Sequence, residues 1–117
     1  MKVQRIGWSK TVEARIAPLL EPEALAVIRT NVEQEHNRLW SFDQGKALLI
    51  TWLDGTELVI VAMEGEGVHE ISKWVYAAAK KSGCSSVRFH TNRPALQRMV
   101  SEYGFTERER VYAMEIR

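Results

Sequence analysis

The chain has 117 residues, 16 basic and 15 acidic side chains, a formal charge of +1 and one cysteine, which predicts a single domain with its own core. The balanced charge excludes the global field that draws proteins to nucleic acid or anionic membranes, and one cysteine excludes an internal disulfide and every cysteine-based zinc spacing. No apolar run reaches the ~20 residues of a membrane span, and MKVQRIGWSK holds no leader-length apolar stretch, so the expected setting is the cytoplasm, with no membrane partner.

In chain order, residues 3–6 suit a short strand. Residues 11–20 and 22–32 read as two helices, separated where Pro18 and Pro22 interrupt the pattern. Residues 39–42 form a strand that joins the next through Asp43-Gln44-Gly45, a three-residue loop with glycine where a left-handed residue is needed. KALLITWL and TELVIVAM flank Asp54-Gly55, a preferred pair for a type I′ turn, so residues 46–53 and 56–63 are expected to form a hairpin. That turn sets Trp52 opposite Glu57, Ile50 opposite Val59 and Leu48 opposite Val61. Both faces of the hairpin are apolar, so both are expected to be covered.

The rhythm then changes. Val68, Ile71, Val75, Ala78 and Ser82, with Trp74 and Ala79 beside them, recur at helical spacing, and Gly83 supplies a stop. Cys84 reads as a small buried hydrophobe. Residues 86–90 form a short strand; Asn92 and Pro94 precede a second helical stripe of Leu96, Met99, Val100 and Tyr103, ended by Gly104; residues 109–116 form a last strand. The order is β-α-α-β-β-β-α-β-α-β, an α/β (α+β) fold with a mixed sheet and helices on both faces. Ile60, Val75, Leu96 and Phe105 are expected in its core, as are Trp52 and Trp74. Trp8 and Trp40 are the candidates for an interface anchor, with a homodimer as one use.

VIVAMEGEGVHEISKWV, residues 59–75, runs from a strand through two glycines into a helix. Together with the element order, this resembles the GNAT fold of the N-acetyltransferase superfamily. That family carries a turn of the form Q/R-x-x-G-x-G/A after its fourth strand, and residues 64–69 fall on it position for position, with Gly67 matching. Asn92, Ala95 and Gly104-Phe105 fit a further family pattern, with one residue more than usual between Ala95 and Gly104. The chain also resembles short GNAT-like phage and prophage proteins in the general look of RFHTNRPALQRM followed by GFTERERVYAMEI.

The resemblance implies acetyl-CoA as cofactor, with pantetheine at the Ala62–Met63 strand end, pyrophosphate on the backbone of Gly65, Gly67, Val68 and His69, and Asn92 nearby. It implies a small-molecule or protein amine as acceptor. Backbone N–H groups at a helix start and the helix dipole attract an anion there. Glu64 and Glu66 oppose it: a carboxylate about 5 Å from a phosphate charge costs on the order of 3 kcal/mol at an effective dielectric of ~20. Three readings stay open for these glutamates. They complement the helix dipole where no anion binds, they splay into solvent while the amides hold CoA, or they bind a cationic partner.

The family's acid slot, usually Tyr, holds Val100 or Met99, and neither donates a proton. His90, Tyr103 and Glu57 are the remaining acid–base candidates, although Tyr103 lies on an apolar stripe and Glu57 suits a solvated hairpin end. Arg88, His90, Arg93, Arg98, Lys80 and Lys81 form the basic concentration of the sequence. It suits a CoA 3′-phosphate, a phosphorylated substrate or ordinary surface charge better than nucleic acid. Two functions follow: an acyl-CoA-dependent N-acetyltransferase, or a non-catalytic binding or accessory protein that keeps the scaffold without the cofactor.

Overall fold

The computed structural model describes residues 1–90, 106–108 and 111–116. Strand β1 spans Val3–Ile6, helix α1 Lys10–Ile16 and α2 Pro22–Glu33; β2 is Arg38–Phe42, β3 Ala47–Asp54 and β4 Glu57–Gly65. Helix α3 spans Val68–Lys81, β5 Ser86–His90, β6 Thr106–Arg108 and β7 Val111–Glu115. Ser9 starts α1 by accepting the Val12 N–H at 3.2 Å. Pro18 turns the expected continuation of that helix into a short 3-10 turn over Ala17–Leu19, and Pro22 opens α2 at a position that needs no N–H.

The chain divides into two compact units. One comprises Met1–Trp52 and Val61–Glu66, the other Leu53–Ile60 and Gly67–Arg117. In the first, β1 pairs antiparallel with β2, and β2 with β3. Val12, Ile16, Ile28 and Val32 of the helices pack on Leu39, Leu48, Ile50 and Ala62 of the strands. In the second, β4 pairs parallel with β5, which pairs antiparallel with β7, which pairs antiparallel with β6. A parallel pair needs a crossover, and α3 is that connection. Ile60, Ile71, Val75, Ala79, Val87 and Phe89 are buried there. The strands are therefore mixed, as the element order predicts.

Several expectations shift. The hairpin turn falls on Gly55-Thr56, because β3 continues through Asp54 and β4 starts at Glu57. Gly55 has φ +62, and neither Asp54 nor Thr56 is among the residues with positive φ. That is the II′ pattern with glycine first, not the I′ turn expected for Asp54-Gly55. Moving the turn by one residue moves every cross-strand partner by two, so each side chain keeps its face. Gly55→Val is expected to cost about 1–2 kcal/mol, since the positive φ strains any side chain even though the surrounding space is open. Chemical denaturation checks this, and an unchanged midpoint would contradict the turn assignment.

Trp52 is 41% exposed and Leu53 45%, so the end of the hairpin is not covered as expected. They follow the five buried residues that open β3, and the burial stops as the strand nears its turn. Trp74 is half-buried. The one last strand expected over residues 109–116 is instead preceded by β6, which pairs with β7. Gly83 (φ +77) ends α3, and the buried Cys84 donates its N–H to Ala79 O at 2.9 Å. Burial pushes the Cys84 thiol up. The expected helix from Pro94 to Tyr103, with Leu96 and Phe105, lies outside the described residues.

Candidate functional site

The turn at residues 64–69 begins in the first unit. Ala62 and Met63, expected at a strand end, lie inside β4, which continues to Gly65, and are 8% and 7% exposed. Glu64 meets Arg15 of α1: Arg15 Nε donates to Glu64 Oε2 at 2.6 Å and its Nη2 lies 2.5 Å from the same oxygen. Both side chains are about a quarter exposed. The carboxylate is thus neither at the helix start nor splayed into solvent. It is neutralised by a guanidinium whose Nε and Nη2 both reach one carboxylate oxygen, a charge-assisted contact.

Arg15 also donates from Nη1 to Gly45 O and from Nη2 to Lys46 O at 3.5 Å. It therefore ties α1 to the β2–β3 turn, where Asp43, Gln44 and Gly45 all take positive φ (49°, 58° and 91°). Sequence reading expected only the glycine to be left-handed. Of the two non-glycine residues, Asp43 is held by tertiary bonds: Lys2 N–H donates to Asp43 Oδ1 at 2.8 Å, and Asp43 N–H to Lys2 O at 2.7 Å. Arg15 carries no signal in the sequence, because its partner lies 49 residues away.

Gly65, at φ +108, lies against strand β3, and a Cβ there would stand 2.2 Å from Lys46 O. The Glu66 N–H donates to the same Lys46 O at 3.3 Å, and the Glu66 side chain is exposed. One amide of the expected pyrophosphate turn is therefore bound within the protein.

The second unit holds the rest of the turn. Gly67 (φ +94) is the N-cap of α3, and its carbonyl accepts the Ile71 N–H at 3.0 Å. A Cβ at Gly67 would lie 3.5 Å from Glu70 Oε2, which brings an acidic side chain close to the helix start. Val68 is half-buried and His69 exposed. Ser72, one turn further, is 5% exposed, and its hydroxyl has no hydrogen-bond partner among the described residues.

Glu57 does not stand as a free base. It accepts the Ser86 hydroxyl and lies 3.0 Å from Arg88 Nη1, while Arg88 Nη2 reaches Asp54 Oδ2 at 3.2 Å. Residues 57 and 86 are neighbours in the parallel ladder, so the strand register itself builds this cluster. Arg88 is consequently engaged by two carboxylates and leaves the basic concentration seen in the sequence. His90 pairs with Val111 through the β5–β7 ladder. Asn92, Arg93, Arg98 and Tyr103 lie outside the described residues. Among the described residues, no group of His, Cys, Asp or Glu could hold a metal ion, and no helix is long and apolar enough to cross a membrane.

No family model matches the sequence, and no curated protein matches it. The fold, however, is similar to solved structures. An acetyltransferase of the GNAT family from Staphylococcus aureus aligns at TM-score 0.66 and 13% identity, over 99% of this chain and 100% of that one. The ribosomal-protein alanine N-acetyltransferase of Escherichia coli aligns at 0.65 and 13%, over 98% and 94%. A Bacillus subtilis acetyltransferase in complex with CoA aligns at 0.64 and 11%, over 90% and 76%. At such identities the likeness establishes architecture and not activity. The chain has the fold of the GNAT acetyltransferases.

Proposed function

We propose that the chain is an acyl-CoA-dependent N-acyltransferase acting on a primary amine, with the cofactor pyrophosphate held by the backbone at the start of α3, Gly67 to His69. The observation that carries this reading is the Arg15–Glu64 pair. It offsets one of the two carboxylates that oppose an anion at this turn, and leaves Glu66 there with Glu70 near Gly67. The two left-handed glycines, Gly65 and Gly67, keep the turn backbone in a form that side chains would disfavour.

Bound acetyl-CoA would supply an activated thioester. The chain's part is to hold the cofactor on the amides of Val68 and His69 and to move two protons, one from the attacking amine and one to the leaving thiolate. With Glu57 engaged by Ser86 and Arg88, those transfers fall to His90 and Tyr103. The amine acceptor is a small molecule or a protein N-terminus or lysine.

Calorimetric titration with acetyl-CoA tests the reading. Unaltered protein is expected to bind with Kd on the order of 0.1–1 mM, reflecting the residual repulsion from Glu66. Glu66→Gly should strengthen binding about tenfold. Arg15→Ala should weaken it by a similar factor, because the freed Glu64 charge returns, and Arg15→Ala with Glu64→Gln should restore it. Glu64→Arg is a poor probe, since it would set two guanidinium groups together. No detectable heat from either unaltered protein or Glu66→Gly would refute the reading.

A second reading is favoured by the Glu66 N–H to Lys46 O bond and the proximity of Glu70 to Gly67, both of which serve the turn from within. In it the chain is a non-catalytic accessory protein, of the kind its phage-like sequence features suggest, that keeps the scaffold without acetyl-CoA. Absence of binding in the titration above is its expected result.

A further inference from the structure

The first unit contains a cavity of about 520 Å³ that the acetyl-transfer reading does not use. Its size is within the range of small-molecule sites. Ile6, Trp8, Val32 and Leu39 supply apolar wall. The Trp8 ring is fixed, because its Nε1–H donates to Glu13 Oε1 at 3.3 Å and that oxygen also accepts from Arg29 Nη1 at 3.2 Å. The aromatic wall is thus formed in advance of any ligand, which lowers the entropy cost of binding.

Three polar groups converge on this wall. Asn37 is 5% exposed and lines the cavity. Its backbone N–H donates to Asn31 O at 3.0 Å, which places the side chain at the start of the cavity's β2 wall. Arg5 and Glu35 also line the cavity, with Arg5 Nη2 3.8 Å from Glu35 Oε1 and side chains 42% and 80% exposed. This exposed ion pair is too long for a hydrogen bond, so it is weak and ligand groups at hydrogen-bond distance compete with it. Glu35 is placed by a left-handed backbone (φ +63), closed by its N–H donating to Val32 O at 3.1 Å.

We propose that this cavity is a binding site for a free α-amino acid with an apolar side chain. The ligand carboxylate pairs with the Arg5 guanidinium, the ammonium with Glu35, and the side chain packs on Trp8 and Leu39, with Asn37 hydrogen-bonding the polar end. A simple anion would meet Glu33 and Glu35 on the same wall, and a simple cation would meet Arg5. A zwitterion satisfies both signs at once. The C-terminal end of α2, which contributes Val32 and Glu33 to the wall, adds partial negative charge on the ammonium side. This inference does not depend on acetyl-CoA binding.

The test is a ¹⁵N NMR titration of the full chain with L-leucine and L-phenylalanine, following the indole N–H of Trp8, assigned through Trp8→Phe. Saturable shifts of that signal are expected at millimolar ligand or below. Leucinamide, which lacks the carboxylate, and N-acetyl-leucine, which lacks the ammonium, should each bind about tenfold more weakly. Arg5→Gln and Glu35→Gln should weaken leucine binding about tenfold while leaving the remaining spectrum dispersed as in the unaltered protein. The proposal is overturned if neither amino acid shifts the Trp8 signal at about 20 mM, if leucinamide binds as well as leucine, or if both variants bind leucine unchanged.

Discussion

Gly65→Ala is expected to destabilise the protein by about 2–5 kcal/mol. The added Cβ would stand 2.2 Å from Lys46 O and 2.7 Å from Ala47 Cα, both backbone atoms of the neighbouring strand segment, at a φ of +108. No side-chain rotation relieves such a contact. The conformation costs a non-glycine residue about 1–2 kcal/mol and the overlap about 1–3 more. Relief by spreading the backbone would weaken the Glu66 N–H to Lys46 O bond and disturb the carbonyls that Arg15 holds. Gly67→Ala is the matched control: its φ is +94, but its Cβ would meet only Glu70 Oε2, at 3.5 Å. It should cost about 1 kcal/mol. Equal losses in urea denaturation would show that crowding against β3 does not set the need for Gly65. Unequal losses would show that one glycine of the motif-like turn answers to strand packing and not to a phosphate.

Ile60→Ala should cost about 2–5 kcal/mol through lost transfer energy and the cavity left behind. Ile60 is 4% exposed on β4, its ladder partner Phe89 is 1% exposed, and Val75 of α3 is 2% exposed. A fully packed parallel pair has little freedom to collapse around a missing side chain. The melting temperature should fall by on the order of 10 °C or more, and Ile60→Val, which removes one methyl, by a fraction of that. A loss below about 1 kcal/mol for the alanine variant would mean that the inward face of β4 is not the one carrying Ile60.

Period and punctuation made most of the elements legible in the sequence. The helical spacing of Val68, Ile71, Val75, Ala78 and Ser82 with the Gly83 stop located α3; Ile71 and Val75 are buried with the neighbouring Ala79, whereas Val68 and Ala78 are half-buried and Ser82 is exposed. Pro18 and Pro22 divided the N-terminal helices because a proline ring cannot continue a helix interior. The hairpin was legible to within one residue. Its turn type was not, because a II′ turn at Gly55-Thr56 and a I′ turn at Asp54-Gly55 differ only in which residue continues the strand.

The candidate site divides in the same way. That residues 64–69 would follow a strand and open a helix was written in the chain, since glycines and local propensity decide it. What the glutamates do was not. From sequence, Glu64 had three open roles. The fold gave it a fourth by bringing Arg15 within 2.5 Å across 49 residues of chain, a contact that no local pattern encodes. Glu57 likewise read as a solvated base candidate until the parallel register placed Ser86 and Arg88 on its carboxylate. Local sequence determined where backbone donors and turns lie, because φ preferences and hydrophobic periods act over a few residues. Tertiary structure alone decided which charges are neutralised, because electrostatic partners are set by distance in space and not by separation along the chain.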